Sequence, residues 1–189
     1  MHARQIDAEP TRVRRRDRAV EDQAWMRDFL RRAAYCTWAT PHEDLPRLHI
    51  NLFAYDEAAN VIYLHTGREG RTPHDVRDNG CVSFCVSEMG RLLPAEVAGA
   101  FSVEYASVMI FGRVSIVADE AEAQRGLQML LDKYFPHLRP GRDYRAISKP
   151  ELARTCVYRI TVEQWSGKQN KKPPDFPGAF IYGHPPSGT

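Results

Sequence analysis

The chain has 189 residues, 43% of them hydrophobic and 26% charged, and its 26 basic and 24 acidic residues leave a formal net charge of +2. This is the composition of one ordinary globular domain, and the near balance of charge predicts no nucleic-acid partner. No segment approaches the about 20 apolar residues that a membrane span needs, and Met1 is not followed by the apolar core of a signal peptide, so we expect a cytoplasmic protein.

The N-terminal segment changes character near residue 19. Residues 1–18 are polar, carry the cluster Arg14-Arg15-Arg16 and show almost no apolar periodicity, so we expect a flexible basic arm. Ala19–Ala34 then has the spacing of an amphipathic helix. The folded domain is predicted over 19–165, with a mobile tail over 166–189.

Six segments have the β-forming residues or the alternation of strands. They are Cys36–Thr40, Arg47–Tyr55, Val61–Thr66, Cys81–Ser87, Ser102–Val117 and Thr155–Glu163. Turns at 41–44 and 56–60 connect the first three, which predicts an antiparallel meander. Gly112 interrupts the longest of these strands and predicts a bend or bulge.

Helices and loops separate the later strands. Asp119–Phe135 is predicted as an amphipathic helix capped by Asp119, and Lys149–Arg154 as one more helical turn. Met89–Phe101 reads as a loop with helical tendencies. The order of elements implies an α+β fold, a mainly antiparallel β-barrel with flanking helices.

One stretch, Val61–Asn79, has the features of an anion site. A buried strand ends there in a Gly-rich turn, and Thr72 with Pro73 provides the N-cap and first residue of a short helix. Helix N-termini and arginines bind phosphate, and the polar side chains that converge here are Thr66, Arg68, Arg71 and Thr72. A basic surface turn with an ordinary helix cap explains the same residues equally well.

Other chemistries have little support in the sequence. Cys36, Cys81, Cys85 and Cys156 stand in apolar surroundings without a CxxC pair, as reduced core thiols do. No HxH or HxxxH pair is present, so we expect no metal site. Neither a GxSxG motif nor a Walker or dinucleotide fingerprint occurs.

A series of segments nevertheless resembles a known family. It comprises RLHINLFAY, VIYLHTGREGRT, CVSFCVSEMGRLLP, EYASVMIFGRVSIVAD, LLDKYFPHLRPGRDY and a closing WSGK. In this order and spacing, from Arg14 to Lys168, they resemble the pyridoxamine 5′-phosphate oxidase-like superfamily, and within it the nitroimidazole-resistance-type flavin-nucleotide-binding branch. The resemblance implies a split β-barrel that forms a homodimer and binds FMN in two clefts at the dimer interface.

The resemblance also assigns residues to the cofactor. It places the flavin phosphate at Arg71 and Thr72, with His65 and Thr66 beside them and Arg68 as a further candidate. Many relatives have a Lys where this chain has Thr72, so Arg71 must supply the charge.

The flavin ring is then expected at the second strand and its surroundings. The ring would lie against Ile50, Asn51 and Leu52, with the Asn51 side chain either facing it or simply pointing outward from the strand. Ser107 is expected near the cofactor, more so than Tyr105, which could fill the core. Trp165 and Lys168 resemble the C-terminal element that reaches the partner subunit's cleft, although an ordinary strand end is also compatible with them.

The implied activity is that of an FMN-dependent oxidoreductase acting on a small electrophile such as a nitroaromatic or a quinone. A strict pyridoxamine-phosphate oxidase is not expected, because the paired Arg and His of that substrate site are not found in the C-terminal segment. Two alternatives stay open. One is a flavin- or haem-binding carrier or sensor, for which His65 is the first haem ligand to test, and the other is a deazaflavin-dependent reductase. Catalytic residues are not identified.

Overall fold

The structure, a computed structural model, describes residues 9–185 and contains one large antiparallel sheet. Its strands are β1 (Ala19–Val20), β2 (Cys36–His42), β3 (Leu45–Asn51), β4 (Ala54–Asp56), β5 (Val61–Gly67), β6 (Cys81–Leu93), β7 (Ser102–Ile116) and β8 (Thr155–Asn170). The flanking helices are α1 (Gln23–Arg32), α2 (Arg71–Asp78), α3 (Glu120–Tyr134) and α4 (Lys149–Arg154). None of these helices has the length and apolar character required to cross a membrane.

The sheet is open rather than closed into a complete barrel. Its strand order is β3-β2-β6-β7-β8-β5-β4, and β1 pairs with the far end of β8. The terminal strands of this order, β3 and β4, are not paired with each other. The predicted α+β architecture of mainly antiparallel strands with flanking helices is confirmed.

The predicted meander is wrong, because the strand expected over Arg47–Tyr55 is two strands. β3 pairs with β2, whereas β4 pairs with β5, which places the two halves at opposite ends of the strand order. Phe53 lies between them, fully buried, and the Tyr134 hydroxyl is within 3.2 Å of its backbone nitrogen and 3.3 Å of its backbone oxygen. These contacts replace the ladder bonds of a continuous strand.

The first helix is shorter than predicted. Asp22 caps it, since its carboxylate accepts hydrogen bonds from the backbone N–H groups of Ala24 and Trp25. Ala19–Val20, expected to be helical, form β1 instead. Of the predicted basic arm, residues 1–8 lie outside the described part of the chain, and the remainder includes 3-10 turns at Glu9–Thr11 and Arg16–Arg18.

Two strands run further than their sequence patterns predict, because bulges interrupt the alternation on which those predictions rest. The β6–β7 register shifts between Met89 and Leu92, so β6 continues to Leu93 where a loop was predicted. In the β7–β8 pair, Phe111 faces Gln164 but Gly112 faces Val162. β8 therefore gains an unpaired residue at the predicted strand end and continues to Asn170.

Gly112 fits this bulge for a steric reason. A Cβ atom at this position would lie 2.0 Å from the backbone oxygen of Thr161. Only a residue without a side chain permits the close approach of the two strands, and the bend predicted at Gly112 is confirmed.

The tail after β8 lies along β6. The Arg91 guanidinium is paired with Glu104 and also donates to the backbone oxygens of residues 172, 173 and 174. Leu92 forms a β-bridge with Phe180. The predictions for α3, capped by Asp119, and for α4 are confirmed.

Candidate functional site

The edge strand β3 is polar toward the protein and apolar toward solvent. Arg47, His49 and Asn51 are partly buried, whereas Leu48 and Ile50 are 71% and 73% exposed. An edge strand normally presents polar or charged side chains outward. The reversal means that the inner polar row serves contacts within the chain, while the outer row is exposed in the part of the chain that the structure describes.

The inner row binds β3 to α2. An Arg47 guanidinium nitrogen donates to the carboxylate of the fully buried Asp75 at 2.7 Å. The His49 ring packs against Trp38 at a tilt of 37°, with ring centroids 4.6 Å apart, and its Nδ1 shares a hydrogen bond of 3.2 Å with the Thr72 hydroxyl. These contacts hold the first two turns of α2 against the edge of the sheet.

Burial lowers the pKa of His49, and the positive charges of Arg71 and Arg47 act in the same direction, while Asp75 opposes them. A neutral imidazole fits its position between two hydroxyls, since the Thr40 hydroxyl lies 2.9 Å from the other ring nitrogen. One ring nitrogen then donates a hydrogen bond and the other accepts one.

The third polar residue of β3 reaches β5. The Asn51 amide nitrogen donates to the backbone oxygen of His65 at 3.2 Å, and its oxygen accepts from the Trp38 indole at 2.9 Å. The Asn51 side chain is therefore directed toward Trp38 and β5 and does not simply point outward from the strand.

The start of α2 differs from the prediction in a way that favours anion binding. The N-cap is Gly70, with φ of 120°, and not Thr72, which lies at the second helical position and bonds His49 instead. Glycine has no side chain, so no side-chain cap accepts the first N–H groups of α2. These N–H donors, which form the positive end of the α2 dipole, remain available to a ligand.

A groove of about 370 Å³ opens at this helix end. Its lining residues are Arg47, Leu48, His49, Arg71 and Thr72. Two guanidinium groups, a hydroxyl and free helix N–H groups form the donor set that a phosphate monoester requires. The residues present therefore fit the phosphate end of a flavin nucleotide.

Of the residues that line the groove, the sequence predicted Arg71 and Thr72 but not Arg47 and His49. Both lie in RLHIN, where polar residues alternate with apolar ones at a spacing of two, so the signal for a polar strand face was present. The side of the strand that faces α2 could not be known without the strand order.

Other predicted phosphate residues are placed elsewhere. The Thr66 hydroxyl donates to the Gly67 backbone oxygen and shares a hydrogen bond of 2.7 Å with Tyr158. Arg68 lines a different cavity, together with Arg77 and residues of α4. Neither side chain lines the groove at Arg71.

Leu52 and His65 meet in a second, apolar cavity of about 440 Å³ between the end of β5 and α3. Its other lining residues are Leu127, Leu130, Leu131, Tyr134, Phe135, Tyr144, Arg145, Ile147 and Glu151. The surrounding protein keeps water from part of the His65 ring. This desolvation lowers the pKa of His65 and favours the neutral imidazole. The cavity suits a flat apolar molecule with one polar edge.

Burial disfavours thiolate formation at two of the four cysteines. Burial raises the pKa of Cys36 to about 12 and also raises the pKa of Cys85. A thiol with such a pKa is not a thiolate near neutral pH, so neither residue provides a nucleophile. All four cysteines are free, as the sequence predicts for reduced thiols.

The outward side chains of β3 continue into a row across the sheet. Register neighbours place Ile50 beside Thr37, Thr37 beside Cys85, and Cys85 beside Met109. We call this surface the outer face. Its apolar ends, Ile50 and Met109, are 73% and 42% exposed.

Of three residues predicted near the cofactor, Ser107 and Lys168 border the outer face and Trp165 does not. Ser107 lies two residues before Met109 on β7 and is the register neighbour of Lys168, whose ammonium lies 5.6 Å from the Tyr105 ring centroid. Trp165 lies on the opposite side of β8 and packs against the core, with the Arg27 guanidinium 5.7 Å from its ring.

Comparison with known proteins gives one family and a shared fold. The sequence profile described as pyridoxamine 5′-phosphate oxidase matches residues 22–169. No curated protein sequence matches the chain.

Three of the similar solved structures illustrate the fold. The flavocytochrome Anf3 from Azotobacter vinelandii has 22% identity and a TM-score of 0.75, covering 88% of this chain and 76% of its own. The FAD and haem binding protein from Mycobacterium smegmatis has 21% identity and a TM-score of 0.73, covering 84% and 76%. A candidate 5-nitroimidazole antibiotic resistance protein from Bacteroides thetaiotaomicron has 22% identity and a TM-score of 0.66, covering 80% and 86%.

Proposed function

Because this chain belongs to the pyridoxamine 5′-phosphate oxidase family, a flavin-binding family, we propose that it is an FMN-dependent oxidoreductase that reduces a small electrophile such as a nitroaromatic or a quinone. The observation that carries the proposal is the uncapped N-terminus of α2, which opens into a groove beside Arg71, Thr72 and two polar residues of β3. We assign the cofactor to the domain over 19–165.

Arg71 has the central role in holding the phosphate. Arg47 already donates to Asp75, so part of its charge is neutralised, whereas no ion pair of Arg71 occurs among the described residues. Thr72 and the first N–H groups of α2 complete the donor set. Burial favours the neutral form of His49, whose Nδ1 shares a hydrogen bond with the Thr72 hydroxyl and so orients it.

The ring is assigned to the end of β3, at Ile50, Asn51 and Leu52. The flavin would supply the electron-transfer chemistry, and the protein would supply binding and orientation. The hydrogen bonds of Asn51 fix the backbone of this strand end in place. The apolar cavity at Leu52 and His65 is the proposed entrance for a flat, apolar substrate.

A homodimer would complete this arrangement. An exposed apolar row on an edge strand, continuing to Met109, is the surface that a second copy covers. Ser107 and Lys168 border the same face, so each subunit would bring them toward the cofactor at the interface. The tail over 166–189 is proposed to contact the partner subunit.

A flavin- or haem-binding protein without turnover is the second candidate. It is favoured by His65, whose imidazole borders an apolar cavity of about 440 Å³. The spectrum of the purified protein separates the two cofactor classes, because a flavin is yellow and a haem has a Soret band. A deazaflavin would compete with FMN in the titrations described next.

The proposal is tested by fluorescence titration of apoprotein with FMN, FAD, a deazaflavin and riboflavin. FMN is expected to bind much more tightly than riboflavin, which has no phosphate. Arg71→Ala should weaken FMN binding about ten- to a hundredfold, because a charge-assisted hydrogen bond contributes about 1.5–3 kcal/mol, and should leave riboflavin unchanged. Arg68→Ala is the matched control, since Arg68 lines another cavity.

Each other outcome has a definite meaning. Equal affinities for FMN and riboflavin would refute phosphate recognition. Loss of both ligands in Arg71→Ala would assign this residue to the structure of the turn, and loss of FMN only in Arg68→Ala would move the phosphate to that cavity. Steady reduction of a nitroaromatic or quinone by the FMN-loaded dimer, with a reduced nicotinamide nucleotide supplied as the electron donor that returns the flavin to its reduced form, separates an enzyme from a carrier.

A further inference from the structure

Two histidines and a carboxylate from different elements meet beside α2. His42 lies at the end of β2, and His74 and Asp78 lie one turn apart on α2. One ligand atom from each of the three lies within 4.8 Å of the others. No HxxxH motif marks this cluster in the sequence, since the fold brings His42 to the helix.

The cluster has a buried carboxylate behind it. Asp75 is fully buried, and its Oδ1 lies 3.1 Å from Nδ1 of His42 and 3.8 Å from Nδ1 of His74. Its other oxygen is buried and has no hydrogen-bond partner among the described residues. Histidine ligands of metals commonly donate their second ring N–H to such a carboxylate, which fixes the ring and raises its basicity.

We propose that His42, His74 and Asp78 bind a divalent transition-metal ion, with Zn²⁺ as the first choice. Two imidazoles and one carboxylate are a zinc ligand set, and a water molecule would complete a tetrahedron. Bonds of about 2.0–2.2 Å place tetrahedral ligand atoms about 3.3–3.6 Å apart. His74 and Asp78 are mostly exposed, so their side chains can rotate by the small amount that contraction of the cluster requires.

The site would act on the position of α2. His42 immediately precedes the β2–β3 turn, while His74 and Asp78 belong to the helix whose first turn borders the groove at Arg71. A shared ion would therefore clamp the β2–β3 hairpin to α2 alongside the existing Arg47–Asp75 pair. Metal binding by these three residues requires no ligand in the groove.

The test is titration of the full-length chain, treated with chelator and then dialysed, with Co²⁺ and Zn²⁺. Co²⁺ is expected to bind one to one with the intense visible bands of a tetrahedral ion, and Zn²⁺ should displace it, whereas Mg²⁺ should not. His74→Ala and Asp78→Asn should each weaken binding at least about tenfold. His137→Ala, which changes an exposed histidine far along the chain, is the matched control.

Circular dichroism verifies that the variants are folded, which their exposed positions favour. Zn²⁺ should also raise the thermal midpoint of the native chain and of His137→Ala but not that of Asp78→Asn. Absence of a one-to-one complex, equal affinities in all variants, or a thiolate-to-cobalt charge-transfer band that assigns the ion to a cysteine would each overturn the proposal.

Discussion

The side-chain nitrogen of Asn51 lies 3.2 Å from the backbone oxygen of His65, although β3 and β5 are not neighbours in the sheet. This contact joins the two regions to which the groove and the apolar cavity belong. The same amide accepts a hydrogen bond from Trp38, whose side chain is only 1% exposed. Asn51 therefore connects an edge strand to both the core and β5.

Asn51→Leu should destabilise the protein by about 1–3 kcal/mol, because the buried indole N–H of Trp38 loses its acceptor. Urea denaturation at fixed protein concentration measures the change. In the Trp38→Phe background, which lacks that N–H, the same substitution should cost clearly less. Equal costs in both backgrounds would show that the indole bond contributes nothing to stability.

Ile50→Glu should convert the proposed dimer into a folded monomer, since it places a charge in the centre of an apolar edge while removing little from the core. Sedimentation velocity with circular dichroism measures both properties. Gln124→Glu adds the same charge on the exposed side of α3 and should remain dimeric. A native chain that sediments as a monomer and still binds FMN tightly would contradict the interface assignment.

Burial of Lys133 should make the free energy of unfolding depend on pH. Its ammonium lies 3.6 Å from the Phe53 ring centroid, and burial lowers its pKa from 10.5 to about 8. Between these values the unfolded chain holds a proton that the folded chain has released, so the contribution of Lys133 to the unfolding free energy rises with pH across this window. Below pH 8 the cost of burying the charge is fully present.

Lys133→Met should remove this rise, so the stability difference between native and variant chains should change from pH 8 to pH 10 in favour of the native chain. Urea denaturation across this range measures it, and groups shared by both chains cancel in the difference. Lys133→Arg, which stays charged throughout, should also lack the rise. A difference that is constant with pH would rule out a lowered Lys133 pKa.

Gly112→Ala should destabilise the fold by about 1–3 kcal/mol or more, because the added Cβ would overlap the Thr161 backbone oxygen and force the strands apart. Thermal or urea unfolding tests this. Gly99→Ala is the control, since nothing lies within 4 Å of a Cβ built there. If the two substitutions had equal effects, close packing of β7 on β8 would not explain the glycine.

Helices and strands could be predicted from the sequence where one apolar period continues through the whole element. They could not where a contact between residues distant in sequence determines the end of an element. Helix α3 and strand β5 follow their apolar patterns, and both were predicted within a residue or two. Phe53 ends one strand and begins another because the hydroxyl of Tyr134, 81 residues away, takes over its backbone hydrogen bonds. No local pattern contains that information.

The candidate site shows the same limit. Arg71 and Thr72 could be identified because a turn, a helix start and basic residues coincide in one stretch. Arg47 and His49 could not, since their role follows from β3 being the sheet edge that packs against α2. The roles of Ser107, Trp165 and Lys168 stay predictions, because they depend on a second subunit.

The extra residue in β8 also makes this strand sensitive to a change of chain length. Upstream of the bulge the even-numbered residues Ile160 and Val162 face the core, and downstream of it the odd-numbered Trp165 and Gly167 do. Deleting Glu163 would join Val162 to Gln164 in a regular ladder with the same partners on β7, so Trp165 would still face the core and Lys168 the outer face, whereas deleting Ser166 would turn Gly167 outward and Lys168 toward α1. A deletion at Glu163 thus removes only the bulge, whereas a deletion further along β8 inverts the residues that follow it.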